Sequence, residues 1–305
     1  MTAPLRDLWN WLPAFVAIAD AGSVVGAARQ LALTPAAVSR TLGLLEGALD
    51  VALFNRVGRR LVLNPTGAAL RDAVRVGMTQ VDAALRGLAG DPMAGRFRVG
   101  SIGVLTDHFV VPALIDLARA HPAMVPEHVV LRAAEANLAL VRGEVDVAFY
   151  YEQLSADGLL IERLGSTPMA VYCGRGHPLF GTRRVTRAQV LAHPFSVPQL
   201  GDTGRTLDGW PADVPRQVGM RITMLGSNLQ VCRAGLMLTV LPDVTAAADV
   251  AAGRVRRLAF DPLPPIEVFA ARPVDGRSQR AGALIDEVRI RLAARPGGRR
   301  GTATR

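Results

Sequence analysis

SVVGAARQLALTPAAVSRTLGLLEGAL, running from Ser23 to Leu49, decides how the N-terminal part of this chain folds. Ser23 is a good N-cap, and Ala27, Ala28 and Leu31 fall on one side of the helix it would start. Ala32-Leu33 makes a short turn. Thr34 then offers a capping hydroxyl, and Pro35 takes the first helical position, where a missing N–H costs nothing. Val38, Leu42, Leu45 and Leu49 form the apolar stripe of the helix that follows. Two short helices on a tight turn read as a helix-turn-helix, with Ala28 small at the crossing and Val38 as the core plug. Many such turns carry glycine where Ala32 stands, so another backbone geometry is expected here. An ordinary amphipathic three-helix bundle is the alternative.

The face of the last helix left outside is Pro35, Ala36, Ser39, Arg40 and Gly43, with Thr34 at its tip. A small, sparsely charged face can come close to base edges in a major groove, and Ser39 and Arg40 can reach bases or phosphates. Working outward, Leu8, Leu12, Phe15, Val16 and Ala19 give a preceding helix, ended by Gly22-Ser23. Downstream, Leu53-Phe54-Asn55-Arg56 and Arg60-Leu61-Val62-Leu63 flank a turn at Gly58, which predicts a two-stranded wing. Arg56, Arg59 and Arg60 on that wing are expected to meet phosphates or a narrow minor groove, a solvated charged hairpin being the alternative. Asn64-Pro65-Thr66-Gly67 closes the wing, and Thr66 is expected to cap a long helix to about Ala89. Along it Leu70, Val74, Gly77, Val81, Ala84 and Leu88 alternate steps of four and three, a heptad seam that needs a partner helix. A dimer would carry two recognition helices and so read a two-fold symmetric site on double-stranded DNA.

Phe15, Ala19, Gly22-Ser23, Ala27-Ala28, Leu31, Thr34, Ala37-Val38-Ser39-Arg40, Leu45-Glu46, Leu53-Phe54, Arg56, Arg60, Leu63 and Thr66-Gly67 together resemble the LysR-type transcriptional regulators. The resemblance implies an N-terminal winged helix-turn-helix, a long linker helix for a homodimer or homotetramer, and a C-terminal effector-binding domain. That domain would be a two-lobed, periplasmic-binding-protein-like α/β fold. It also brings in RNA polymerase as a further partner. The expected boundaries are 1–65 for the DNA-binding domain, 66–92 for the linker helix and hinge, and 93–294 for the effector-binding domain. Its first lobe is expected over about 96–163 with 268–292, and its second over about 164–267. Residues 295–305 form a basic tail, expected to be disordered.

Composition narrows the alternatives. The chain has 305 residues, half of them apolar and a fifth charged, so it can bury a sizeable core. All 35 basic side chains are arginine, against 26 acids, for a net charge of +9. Residues 1–90 hold nine Arg and six acids, and 280–305 hold seven and two, so the excess sits at the two ends with a near-neutral middle. That suits a polyanion partner, though net charge alone is a weak indicator. The apolar stretches are cut by charges such as Asp107 and Asp116, so no membrane span is expected. The N-terminus lacks a signal-peptide order, and Cys173 and Cys232 stand far apart, which together suit a reducing cytoplasm. Redox sensing by the cysteines is disfavoured, since neither has a basic residue arranged to favour the thiolate, although Arg233 adjoins Cys232.

Beyond the break at Asp91-Pro92-Met93-Ala94-Gly95, strand-like and helix-like stretches alternate, which argues for a parallel α/β sheet. Gly143 through Phe149 and Gly176-His177-Pro178-Leu179 resemble the family's first and second lobes. Two stretches depart from the pattern. Residues 198–222 are short and rich in Gly, Pro and Asp, with at most a turn or two of helix around Arg205-Thr206-Leu207. Met237 replaces a glycine often found there. Ligands of such lobes bind outside the carboxyl ends of strands. The effector site is therefore expected at Ser101, Val104, Leu105, Thr106, Ala136, Asn137, Phe149, Tyr150, Pro198, Thr223, Ser227 and Met237. Helices starting at Asn137 and Ser227 would aim free N–H groups at an anion, so a small acid with an apolar or aromatic body is expected. A vestigial, non-sensing pocket is the alternative. No Gly-rich phosphate loop, no nucleophile elbow at Gly100-Ser101-Ile102-Gly103 and no metal-ligand spacing among the five histidines is found, so no enzyme, cofactor or metal is expected. A solute-binding protein or enzyme with N-terminal helices as an interaction module is the remaining alternative. The wing and the recognition-helix chemistry disfavour it.

Overall fold

The computed structural model describes residues 8–58, 60–88, 90–198, 206, 208–260, 263–274 and 278–294. Arg59, Arg205 and Leu207, and the tail from 295, lie outside the described residues. The chain divides into two compact units, the first running to Gly90 and taking in the short stretch Val141–Glu144, the second holding Asp91–Leu140 and the chain from Val145.

The first unit opens with α1 (Leu12–Ala21), α2 (Val24–Leu31) and α3 (Pro35–Leu49). Its caps are those the sequence predicts. The Ser23 Oγ accepts from the Gly26 N–H at 3.1 Å, and the Thr34 Oγ1 from the Ala37 N–H at 3.2 Å. Phe15, Ile18, Ala27, Val38, Leu45 and Leu53 are fully buried, so each helix gives one stripe to a common core. The ribbon β1 (Phe54–Val57) and β2 (Arg60–Leu63) is antiparallel around Gly58, with Val57 opposite Arg60.

The expectation for the turn fails in an instructive way. Ala32 does not find another geometry. It takes the left-handed conformation, φ 53°, that a glycine would take. The Leu33 N–H bonds to the Ala28 carbonyl at 3.0 Å, closing a Schellman-type cap that fixes the angle between α2 and α3. An L-residue held there is strained by about 1–2 kcal/mol, partly offset because alanine restricts the unfolded chain. Ala32→Gly should therefore stabilise the first unit by about 0.5–1 kcal/mol, read as a higher Tm of its unfolding transition.

The long helix is α4 (Pro65–Leu88). Its cap is Asn64, not Thr66. The Asn64 Oδ1 accepts from the Gly67 N–H at 2.8 Å, and Pro65 is the first helical residue. The heptad seam also divides. Leu70 and Val74 pack into the core of their own unit, whereas Val81, Ala84 and Leu88 are exposed along the second half. Only that half is free to face a partner helix. No helix among the described residues is long and apolar enough to cross a membrane.

The second unit holds two five-stranded sheets. The first has strands β3 (Gly95–Ser101), β4 (Met124–Val130), β5 (Val147–Tyr150) and β6 (Leu159–Thr167), joined much later by β12 (Ile266–Pro273), in the order β4-β3-β5-β12-β6. After β3 the chain runs through α5 (Gly103–Leu105), a π turn (Thr106–Val110) and α6 (Val111–Ala120), and α7 (Ala133–Val141) links β4 to β5. The second sheet has β7 (Met169–Gly174), β8 (Phe195–Val197), β9 (Val218–Arg221), β10 (Leu238–Pro242) and β11 (Val255–Arg257), in the order β11-β7-β10-β8-β9. Helices α8 (Arg187–Leu191), α9 (Asn228–Arg233) and α10 (Asp243–Ala251) belong to that lobe. The chain returns through β12 and ends in α11 (Gln279–Ala293) on the first lobe. In the first sheet β4, β3 and β5 run parallel, and in the second β9, β8 and β10 do. The expected two-lobed α/β fold is therefore present.

Candidate nucleic-acid interface and effector cleft

Helix α3 presents Pro35, Ala36, Ser39, Arg40 and Gly43 to solvent, opposite the buried stripe of Val38, Leu42 and Leu45. The apolar stripe fixes the rotation of the helix, and the small outer residues follow from it. Thr34 is exposed at the tip. Its oxygen is engaged by the Ala37 N–H, but a hydroxyl that accepts still has a proton to donate to a phosphate. Arg29 is exposed in the last turn of α2. On the wing, Arg56 and Arg60 are both exposed. Strand alternation puts Arg56 on the face of Phe54 and Leu61, and Arg60 on the other with Val57 and Val62. The wing is held by two side chains. The Leu53 N–H donates to the Glu46 Oε1 at 2.7 Å, and Asn64 Nδ2 donates to the Ala52 carbonyl at 2.6 Å.

In the second unit the structure keeps some of the expected effector residues together and removes others. Ser101 and Thr106 meet at the carboxyl end of β3, Oγ to Oγ1 at 2.8 Å. His128 joins them, its Nε2 at 2.7 Å from Ser101 and 3.4 Å from Thr106. Parallel pairing sets Val99 beside His128, which brings the imidazole to this edge. Burial holds the His128 pKa below its usual range, against a weaker upward pull from Asp107. The ring is therefore neutral at pH 7, able to accept at one nitrogen and donate at the other. His128 was not identified from sequence, because nothing in its own segment shows that β4 pairs with β3. Thr223 and Ser227 lie exposed beside α9 in the second lobe, and Pro198 is buried just beyond β8.

The others are corrections. Phe149 and Tyr150 are 0% and 1% exposed, because β5 is an inner strand covered on both faces, so they are core and not cleft wall. Leu105 and Ala136 are likewise buried in the first lobe's core. Asn137 does not start a helix. α7 begins at Ala133, with the Arg132 N–H on the Glu135 carboxylate, and Asn137 sits inside it, accepting from the Tyr150 hydroxyl at 2.9 Å. Ser227 stands at the N-cap position of α9 but makes no side-chain capping bond to it. Met237 lies at the amino end of β10, since Leu238 already pairs with Phe195 at the start of β8. It packs over Gly219, away from the carboxyl ends. Val104 is 1% exposed and belongs to the second lobe's apolar core. Of the two helix N-termini that argued for an anionic effector, the one at Asn137 is absent, whereas the short α9 does begin directly after Ser227.

Both cysteines are free and fully buried. Burial pushes the Cys173 thiol up to about 11 and the Cys232 thiol up to about 12. Among the described residues no group of three or more potential ligands could hold a metal ion.

Two family models match the chain. That for bacterial regulatory helix-turn-helix proteins of the lysR family covers residues 9–68, and that for the LysR substrate binding domain covers residues 90–293. A probable hydrogen peroxide-inducible genes activator of Mycobacterium avium is 29% identical over 255 residues, 80% of each chain. The HTH-type transcriptional regulator TrpI of Pseudomonas aeruginosa is 29% identical over 300 residues, 94% of this chain and 99% of that one. Among solved structures, full-length OxyR from Pseudomonas aeruginosa superposes with a TM-score of 0.75 at 22% identity, covering 94% of this chain and 96% of that one. Full-length LysG from Corynebacterium glutamicum, with arginine bound as effector, gives 0.64 at 21% identity, covering 93% and 97%.

Proposed function

The chain belongs to the LysR family and is a DNA-binding transcriptional regulator, and from that premise we propose that two copies bind a two-fold symmetric operator in the cytoplasm and that a small polar effector sets their arrangement. The observation that carries the DNA-reading claim is the outer face of α3, where Ala36, Ser39 and Gly43 leave room for a groove edge and Arg40 supplies the reaching donor. The exposed Val81, Ala84 and Leu88 of α4 give the dimer its seam. Positioning and reading are separate tasks. Arg60→Ala should weaken binding to all sequences about equally, and Ser39→Gln should change which sequence is preferred. Selection of bound sequences from a random DNA pool distinguishes them. If the two variants shift preference alike, this docking is wrong.

For the effector, Thr106 and His128 offer a hydroxyl and a neutral imidazole, both held by the buried Ser101 hydroxyl behind them, with Thr223 and Ser227 on the second lobe. This set suits a ligand rich in hydrogen-bonding groups. Closure of the lobes around it would shift the population between two dimer arrangements and so alter half-site spacing or bend. The packing of Val104 into the second lobe's core favours a second reading, a domain that no longer senses. Footprints on the operator in the presence of fractionated cell metabolites separate them, since a non-sensing domain leaves the footprint unchanged in every fraction.

The relatives named for hydrogen peroxide raise redox sensing. The buried thiols of this chain argue against it, because the thiolate is the species that reacts. At pH 7 a thiol of pKa 11 is ionised in only about one molecule in ten thousand. Peroxide at low concentration should leave both thiols reactive in a later assay in urea and leave DNA affinity unchanged. Loss of one thiol equivalent together with a change in affinity would restore a redox role.

A further inference from the structure

The near-neutral middle of the chain hides a local excess of charge on the second lobe. From Gly174 to Leu200 there are four arginines and no acid, and from Asp249 to Phe260 three arginines and one acid. The fold brings these two stretches to one edge. β11 is the outer strand of its sheet and pairs antiparallel with β7, which sets Val255 opposite Gly174. The loop after β7 is then tied to the β11 segment at several points. Arg175 Nη2 donates to the Gly253 carbonyl at 3.1 Å, and Arg256 Nη1 donates to the Phe180 carbonyl at 2.6 Å. Farther on, the Arg187 guanidinium stands 6.0 Å from the centre of the Phe260 ring. Phe180 and Val185 pack on the lobe's core, so Arg183 and Arg184 between them are exposed on an anchored loop.

Few carboxylates offset these cations. The buried Asp249 pairs with Arg233 and with Arg254, each at 2.6 Å. Asp243 lies 3.5 Å from Arg257 and accepts from the Tyr172 hydroxyl at 2.6 Å. Among the described residues of this edge, eight arginines therefore stand against two carboxylates, and the edge is strongly positive. Arg183 and Arg184 make no hydrogen bond or ion pair among the described residues, so their guanidinium groups are held out for something else. Like charges gathered at one edge repel, and a polyanion laid over them removes that repulsion. The planar fork of an arginine fits a phosphate through two N–H groups at once.

We propose that this edge of the second lobe is a second DNA surface, which holds the phosphate backbone of the duplex flanking the stretch that α3 occupies. Contacts of this kind position the protein and carry no sequence information. The two units are one chain, so binding through the first raises the local concentration of duplex at the second. The proposal rests on the chain binding DNA and not on α3 reading sequence.

Fluorescence anisotropy of the full-length protein tests it, on two duplexes of arbitrary sequence. One is about 20 base pairs long, enough for two recognition helices one helical turn apart, and the other about 60. Arg183→Gln with Arg184→Gln should weaken binding to the long duplex at least about fivefold and lower its salt slope by about two per bound copy. Binding to the short duplex should stay within about twofold of native. The larger number of positions on the long duplex cancels in the ratio of variant to native. Arg257→Gln, on β11 itself, should act in the same direction, so the test does not depend on one loop. The same loss of charge elsewhere, by Arg119→Gln with Arg163→Gln on exposed side chains of the first lobe, should leave the long duplex unaffected. Circular-dichroism melts confirm that each variant is folded. Equal weakening on both duplexes, an equal effect from the first-lobe pair, or no effect on the long duplex each overturns the proposal. The last result would assign the edge to an acidic protein instead.

Discussion

Gly67→Ala should cost the DNA-binding unit about 3 kcal/mol or more and abolish operator binding at temperatures where the native protein binds. Gly67 lies in the first turn of α4, where the helix passes directly over the start of the wing. A Cβ at this position would stand 2.1 Å from the Leu53 carbonyl oxygen and 2.9 Å from Leu63 Cδ2. The first of these is backbone and cannot swing aside. It is also held, since the Leu53 carbonyl accepts from the Asn64 N–H at 3.1 Å and the Leu53 N–H is bound by Glu46. Relief therefore requires α4 to move off the wing, which also breaks the Asn64 cap on the Gly67 N–H. Thermal unfolding followed by circular dichroism, alongside gel-shift binding, gives both readouts. A variant with native Tm and native affinity would mean that α4 and the wing are less closely packed than described here.

The second large effect belongs to the other unit. Arg216→Met should destabilise it by about 3–5 kcal/mol, because it strands a buried carboxylate. The Asp208 side chain is 0% exposed and that of Arg216 is 6% exposed, with Nη1 to Oδ2 at 2.6 Å. The other Asp208 oxygen accepts from the Trp210 N–H at 3.2 Å. The guanidinium lies over the Trp210 ring at 4.7 Å and the Phe195 ring at 5.7 Å, so charge and stacking act on the same group. Trp210 in turn stacks on Phe260 at 5.4 Å and donates from Nε1 to the Val214 carbonyl. The segment 208–216 is held to the second lobe by this ion pair and this aromatic stack. Asp208→Asn with Arg216→Met should recover much of the loss, since no uncompensated charge is then left. Melting the single and double variants checks this. Equal loss in both would mean that packing, not the buried charge, dominates.

How far the sequence could be read depended on how local the signals were. Ser23, Thr34 and the Val38–Leu42–Leu45 stripe act within a few residues, and the first unit follows from them. Ala32 was misread because propensity argued against a left-handed alanine, whereas the packing of α2 on α3 requires one. Thr66 was taken for a cap because Pro65 was not recognised as already helical. The cleft was harder, because β5 is buried on both faces and its aromatic residues look no different from a ligand wall. Met237 was displaced by strand order, which placed it at the amino end of β10. His128 depended on the pairing of β3 with β4, which no local pattern encodes.

The central claim is that α3 reads sequence and does not merely attract phosphate. The most direct measurement is the affinity of the full-length protein, across a salt titration, for the intergenic DNA upstream of its own gene and for a scrambled duplex of equal length. Phosphate attraction falls steeply with salt on both duplexes, whereas base contacts do not. The account predicts a preference for the intergenic DNA of about a thousandfold that persists as salt rises. Equal affinities that collapse together would contradict it.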